Sequence, residues 1–219
     1  EIFNLKGGNS VLFSALRKAG FVKRKSYFKE KRSSHFDASI FKNNFIYLDG
    51  YWQNELYFSD IRELLLRELS PISSMNDLGN AYLEPIKNSN SVSLHVRRGD
   101  YLNLKNVGVL DVDYYMKAVE YIRTNVEKPI FFIFSDDLEW CKNSLGFLEG
   151  CIYVDRTQTE IDDLKLMSFC RHNIIANSSF SWWGAWLNKN PKKTVIAPKG
   201  WHLNVPGSSN VILSDWVKL

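Results

Sequence analysis

The second half of the chain predicts an α/β domain built on a doubly wound parallel sheet. From residue 91 onward, short apolar strand-like segments alternate with helix-like ones, the βα rhythm of parallel sheets. Within it, Ile130-Phe-Phe-Ile-Phe134 is an unbroken apolar run of strand length, as a strand covered on both faces requires.

Taken in order, Glu1 to Asn9 starts as an alternating strand and ends in the turn at Gly7 and Gly8, as at the start of a βα unit. Because the first residue is Glu1 rather than Met, the true N-terminus is expected to lie outside the sequence. Val11–Gly20 reads as a short helix closed by Gly20. Phe45–Leu48 is strand-like, Asp49-Gly50 is a turn, and Tyr51-Trp-Gln-Asn54 follows it. Ser59 or Asp60 can cap a helix through Leu69, with Ile61, Leu64, Leu65 and Leu69 at helical spacing and Pro71 as its stop. Residues 70–90, rich in Ser, Asn and Gly with Pro71 and Pro85, read as a hinge between two lobes, 1–88 and 89–219.

In the second lobe Val92, Leu94 and Val96 alternate with Ser93 and His95, the period of a strand. A helix runs from Asp113 to about Val126. After Ile130–Phe134, Ser135 or Asp136 can cap the helix bearing Trp140 and Cys141. Cys151–Val154 is a strand, Glu160–Arg171 a helix, and Asn173–Ala176 a strand that leads through Asn177-Ser-Ser-Phe-Ser181 into a tryptophan-rich helix. Thr194–Ala197 and Val211–Leu213 close the chain as late strands.

With 219 residues, 45% of them hydrophobic, the chain can bury a sizeable core. No apolar run approaches the roughly 18 residues of a membrane span, and no signal-like segment opens the chain. Cys141, Cys151 and Cys170, odd in number and widely spaced, read as reduced thiols in a cytoplasmic protein. Net charge is only +4, yet residues 17–32 carry eight Lys and Arg against Glu30 alone. Such a run is most simply a solvated face. Its functional reading is attraction to phosphates, including peripheral contact with an anionic membrane or a lipid-linked substrate.

Polar clusters fall at three expected strand ends, where open α/β sheets bind ligands. Arg97 and Arg98, beside Gly99, offer planar forks that match phosphate oxygens. Ser178, Ser179, Phe180 and Ser181 open a helix, where backbone N–H groups suit an anion. Asp136 offers two acceptors to the two-donor edge of a guanine. Together they describe a site for a nucleoside diphosphate.

His95-Val-Arg-Arg-Gly-Asp100, Ser135-Asp-Asp137, Asn177-Ser-Ser-Phe-Ser-Trp-Trp-Gly-Ala-Trp186 and Gly50-Tyr-Trp-Gln53 resemble the α-1,2-fucosyltransferases of glycosyltransferase family 11. The resemblance runs from about Phe36 to the C-terminus. It implies a GT-B-like fold of two Rossmann-like lobes, with the donor-binding lobe C-terminal. It also implies inverting, metal-independent transfer of L-fucose from GDP-fucose to the 2-hydroxyl of a galactose in a glycan, in bacterial surface polysaccharide synthesis. By position, Arg97 and Arg98 match the pair that contacts the diphosphate, and His95 and Asp100 the residues flanking it. Asp136 matches the carboxylate that reads guanine, and Asn177, Ser178, Ser179 and Phe180 the segment that wraps the phosphates. Asp100 and His95 are the candidate bases, unless the base lies elsewhere.

Leu5-Lys-Gly-Gly8 looks like the first half of the family's opening glycine motif, which Asn9 and Ser10 then break. The distance from there to Gly50 is short by some tens of residues; either the protein lacks this region or the sequence omits a stretch, and omission is the expectation. Tyr51, Trp52 and Gln53 are candidates for facing the acceptor.

Other readings weigh less. Asp111-Val-Asp113 has the form of a metal-binding Asp-x-Asp, but Asp113 capping a helix at Tyr114 is preferred. The cysteines and His172 lack zinc spacing. No Gly-x-Ser-x-Gly supports a hydrolase triad of Ser179, His95 and Asp100, and the Asn177 sequon lies at a strand end. Trp182, Trp183 and Trp186 read as core. A non-catalytic nucleotide- or carbohydrate-binding module and a fucosyltransferase of different linkage are the alternatives. Nucleic-acid binding lacks any supporting motif.

Overall fold

A computed structural model describes residues 27–31, 34–42, 47–69, 77–105, 107–155, 157, 159–202 and 208–219. The chain divides into two compact units between Tyr57 and Phe58.

In the first unit β1 (Tyr27–Lys29) pairs in parallel with β2 (Tyr47–Asp49). Tyr27 and Tyr47 stack at 5.8 Å, and the Tyr27 hydroxyl donates to Asp49. A 3-10 turn at Ala38–Lys42 buries Ile40.

The second unit is the predicted parallel sheet, with six α-helices among the described residues. Its strands are β3 (Asn90–Val96), β4 (Pro129–Ser135), β5 (Ile152–Tyr153), β6 (His172–Ile174), β7 (Val195–Ala197) and β8 (Val217–Lys218), in the spatial order β5-β4-β3-β6-β7-β8. All neighbours are parallel. The direction of winding reverses between β3 and β6, so the ligand crevice of such a sheet opens where those two strands end.

β3 is buried from Ser91 through Val96. Val92, Leu94 and Val96 pack with Phe131 and Ile133 of β4 beneath α3 (Val112–Asn125) and α4 (Leu138–Ser144). The opposite face of the sheet carries Phe132 and Phe134 against α2 (Asp77–Lys87) and α5 (Glu160–Phe169). Ser93 and His95 point to that second face, since their register partners are Phe132 and Phe134. A buried amide chain ties this face to its helices. The Asn173 side chain donates to Ser93 Oγ and Met167 O, and the Asn188 side chain donates to Asn173 Oδ1 and Cys170 O.

Around α6 (Ser179–Leu187), Trp182 and Trp186 are buried and Trp183 is half-buried, with Phe58 stacked on Trp183. Leu65 and Leu66 of α1 (Arg62–Glu68) pack on this cluster, whereas Ile61, Leu64 and Leu69 are exposed.

Several local expectations are corrected. The 70–90 hinge holds a helix over Asp77–Lys87, because Tyr82 and Ile86, one turn apart, are buried against β4 and outweigh the polar composition. Neither Ser59 nor Asp60 caps α1; both lie in a 3-10 turn, and Ile61 stands at the N-cap position without a side-chain bond. Asp111, not Asp113, caps α3 by accepting from Tyr114 N at 2.9 Å. Asp137, rather than Ser135 or Asp136, caps α4. Val211 ends a 3-10 turn and Ile212 follows it, both inside the tryptophan cluster, and the last strand comes later, at Val217–Lys218.

No helix among the described residues is long and apolar enough to cross a membrane. Cys141, Cys151 and Cys170 are unbridged, and no metal-holding cluster of His, Cys, Asp and Glu occurs among the described residues.

Candidate functional site

The loops that follow β3 and β4 form one structure. Asp136 Oδ1 accepts from Arg98 N at 2.9 Å, and Asp136 Oδ2 meets Arg97 Nε at 3.3 Å. Gly99 lets the loops approach this closely, since a Cβ there would stand 2.6 Å from Asp136 Oδ2. Arg97 Nη2 also pairs with Asp100 at 2.8 Å. Arg98 Nε meets Asp137 at 3.3 Å, and its guanidinium lies 4.1 Å from the centre of the Trp140 ring. With only 17% of its side chain exposed, Arg98 is the more firmly placed of the pair. A guanidinium has five N–H groups, so these contacts orient both forks while their Nη edges keep further donors.

The loop after β6 joins the same cluster through Tyr101, which stands 5.4 Å below the Arg97 guanidinium. Its hydroxyl donates to Asn177 O at 3.4 Å and is hydrogen-bonded with Ser178. Burial raises the Tyr101 phenol, which keeps it protonated. Asn177 Nδ2 holds the carbonyls of Val107, Gly108 and Trp201, fixing two further loops. Ser178 stands at the N-cap of α6 without a side-chain cap bond, Ser179 is exposed, and Ser181 turns its hydroxyl back to Ala176 O and Ser178 O.

Arg97, Arg98, Asp100, Asp136, Asn177 and Ser178 are therefore brought together, and Ser179 follows at the helix start. His95 lies one layer deeper. It is buried, its ring is 5.7 Å from Phe180, and its Nδ1 has no partner among the described residues. Burial, aided by Arg97, lowers its pKa to about 3, so the imidazole is neutral at physiological pH.

Tyr51, Trp52 and Gln53 belong to the first unit, where Tyr51 is exposed and the other two are half-buried. Gly7, Gly8 and most of the basic segment 17–32 lie outside the described residues; Lys29 and Lys31 face solvent, with Asp49 and Asp37 as salt-bridge partners.

Sequence reasoning gave no role to Tyr101, Asp137, Trp140 or Asp163, although Asp137 closes the Ser135-Asp-Asp137 motif and Tyr101 and Trp140 lie within a few residues of motifs already singled out. Asp163 is in the first turn of α5, at the strand-end edge of the sheet, with Oδ1 buried and without a partner among the described residues. Burial, with Asp162 and Glu160 nearby, pushes its carboxyl up to about 6. Its signal in the sequence was only a third acid after the Thr159 cap.

A doubly wound sheet with paired arginines and a helix N-terminus at its switch point is the architecture of a protein that binds a phosphate-bearing ligand at its strand ends. The chain matches Glycosyl transferase family 11 over residues 21–219 and belongs to that family. It is 39% identical to an alpha-1,2-colitosyltransferase of Escherichia coli, over 69% of this chain and 54% of that protein. Identity to the O-antigen biosynthesis glycosyltransferase WbnK of Escherichia coli is 33%, over 91% of this chain and 70% of the relative. The human galactoside alpha-(1,2)-fucosyltransferase 1 is 27% identical over 67% of this chain and 44% of its own length. The chain thus spans about half the length of two of these three relatives.

Proposed function

We propose that the protein transfers L-fucose from GDP-fucose to the 2-hydroxyl of a galactose in a glycan, with inversion and without a metal, during assembly of a bacterial surface polysaccharide. The carrying observation is the Arg97–Arg98 pair, oriented by Asp136 and Asp137 at the switch point of the sheet. Departure of GDP builds negative charge on the β-phosphate. The Nη edges of both arginines and the N–H groups that open α6 would stabilise it, as positioned donors do in other transfers. The sugar passes through an oxocarbenium-like state while the acceptor hydroxyl attacks from the opposite face.

Of the two candidate bases, His95 is buried and has little affinity for a proton. Asp100, with 59% of its side chain exposed, is the better acceptor of the hydroxyl proton. Two carboxylates compete for the guanine edge. Asp136 already spends both oxygens on Arg97 and Arg98, whereas Asp163 has a buried oxygen without a partner among the described residues. We assign Asp136 to positioning the arginines and Asp163 to the base. In the full protein we envisage two GT-B lobes, cytoplasmic, with segment 17–32 touching the membrane face that bears a lipid-linked acceptor.

The colitosyltransferase match favours a second reading, in which colitose is the sugar transferred. Incubation with GDP-fucose or with nucleotide-activated colitose and a panel of galactosides, with product linkage read by NMR, separates the two. An α-1,2-fucosyl product that survives EDTA supports the first reading. Loss of activity with the chelator removes metal independence. Binding of GDP without turnover of either donor leaves a binding module.

A further inference from the structure

We propose that the first unit contains its own sugar-binding pocket, built on Glu30 and four aromatic rings, which takes a neutral pyranose of the acceptor glycan. The inference rests on the glycosyltransferase reading and deepens it. A cavity of about 430 Å3 in this unit is lined by Phe28, Glu30, Phe36, Trp52 and Tyr57, with the Lys31–Asp37 pair at its edge. Tyr57 lies 5.0 Å from Phe36 and 5.3 Å from Trp52, and Phe28 lies 6.1 Å from Trp52, all tilted or edge-on. Rings so arranged wall a space without filling it.

Glu30 is the polar centre. Its Oε2 accepts from Tyr51 N at 2.8 Å and Trp52 N at 3.4 Å. Its Oε1 is buried and has no partner among the described residues. A buried carboxylate oxygen left unsatisfied is costly, and a ligand hydroxyl would satisfy it. His35 also lines the cavity, whereas the Tyr57 hydroxyl and the Asp37 carboxylate are already engaged. The Tyr57 hydroxyl accepts from Asp37 N and donates to His35 O, so Tyr57 offers its ring. Asp37 Oδ1 accepts from Ser39 N and Oγ, bonds that lower its pKa, and Oδ2 faces Lys31 at 4.0 Å.

Backbone strain points to the same place. Trp52 has φ 54°, a conformation bulky residues rarely adopt and one that concentrates at ligand sites. Glu30 holds that turn, and Gly50 makes room for it, since a Cβ at position 50 would stand 2.4 Å from Glu30 Cβ.

Charge selects the occupant. Lys31 and His35 stand with two carboxylates, Glu30 and Asp37, so the lining holds no excess of positive charge for phosphates or uronic acids. A neutral pyranose has an apolar C–H face for the rings and a hydroxyl edge for the carboxylate.

The chain, labelled with 5-fluorotryptophan and without nucleotide, is titrated with lactose, N-acetyllactosamine and methyl β-D-galactoside. The 19F signal of Trp52, identified through Trp52→Phe, is expected to shift on sugar addition, and Glu30→Gln to weaken binding about tenfold. In turnover, Glu30→Gln and Phe36→Ala should raise the acceptor KM about tenfold and leave the donor KM unchanged. An unmoved Trp52 signal with all three sugars overturns the pocket, as do variants with wild-type acceptor KM. If the wild type transfers a sugar yet these signatures are missing, the pocket falls and the transferase reading stands. If Trp52 responds and no donor turns over, the reverse holds.

Discussion

The strand-end cluster of the second unit and the cavity of the first handle charge in opposite ways. In the cluster, Arg97 and Arg98 meet three carboxylates on neighbouring loops, and each contact fixes the direction of a fork. In the cavity, aromatic walls surround Glu30, whose inner oxygen lacks a partner among the described residues. The first arrangement suits a ligand that brings negative charge of its own. The second suits one that brings hydroxyls and an apolar face. What the contrast teaches is that ion pairs around Arg98 serve to aim it, and they should be tested for direction rather than for strength.

The largest effect is expected at Arg98. Arg98→Ala should lower transfer by about 100-fold or more through loss of leaving-group stabilisation, while sugar binding in the first unit stays at the wild-type level. Arg98→Lys should restore little, because a point charge reproduces neither the Asp137 contact nor the stacking on Trp140. If Arg98→Lys transfers as fast as wild type, aim is unimportant and charge alone suffices.

A smaller loss is expected at Gly99. Gly99→Ala places a Cβ against Asp136 Oδ2, pushing that carboxylate off Arg97 Nε and Arg98 N without removing any charge. We expect about a tenfold fall in kcat/KM and an unchanged melting temperature, read by steady-state kinetics and calorimetry. Wild-type kinetics would show that Asp136 does not orient the pair.

How much of this could be read from the sequence follows from the same contrast. The cluster was legible because its members are neighbours along the chain. Arg97 and Arg98 follow a strand whose alternation is plain, and Asp136 follows an apolar run that could be little else. The sheet order was not spelled out, but its βα rhythm was, and with it the edge where ligands collect. The helix caps were misassigned by a residue or two because Asp111 and Asp113, like Asp136 and Asp137, present the same chemistry to a local pattern. Only the backbone path decides which one accepts from the helix. The 77–87 helix was hidden by its polar composition and by Pro85, and its formation depends on Tyr82 and Ile86 meeting β4. The cavity was half visible through Trp52. Its other walls come from residues 28, 30 and 36, and nothing along the chain announces that they converge.

Asp163 gives the smallest and most diagnostic effect. Its carboxyl is raised from 3.8 to about 6, first by burial and then by Asp162 and Glu160, against a lowering bond from Thr157. Between about pH 4 and pH 6 the folded protein therefore binds this proton more tightly than the unfolded chain. Stability falls as pH rises through that window and stays lowered above it, by about 1–3 kcal/mol. Asp163→Asn should remove that slope in urea melts taken from pH 4 to 8, leaving the ligand-free protein more stable at pH 7 than wild type. If the unpartnered oxygen is kept for a guanine edge, the same substitution must weaken GDP binding by about tenfold in calorimetric titration, since an amide that keeps the Thr157 bond with its oxygen turns N–H donors toward the guanine N–H groups. A variant that gains stability and binds GDP as well as wild type would return the base to Asp136 and leave Asp163 as a strained residue with no ligand to justify it.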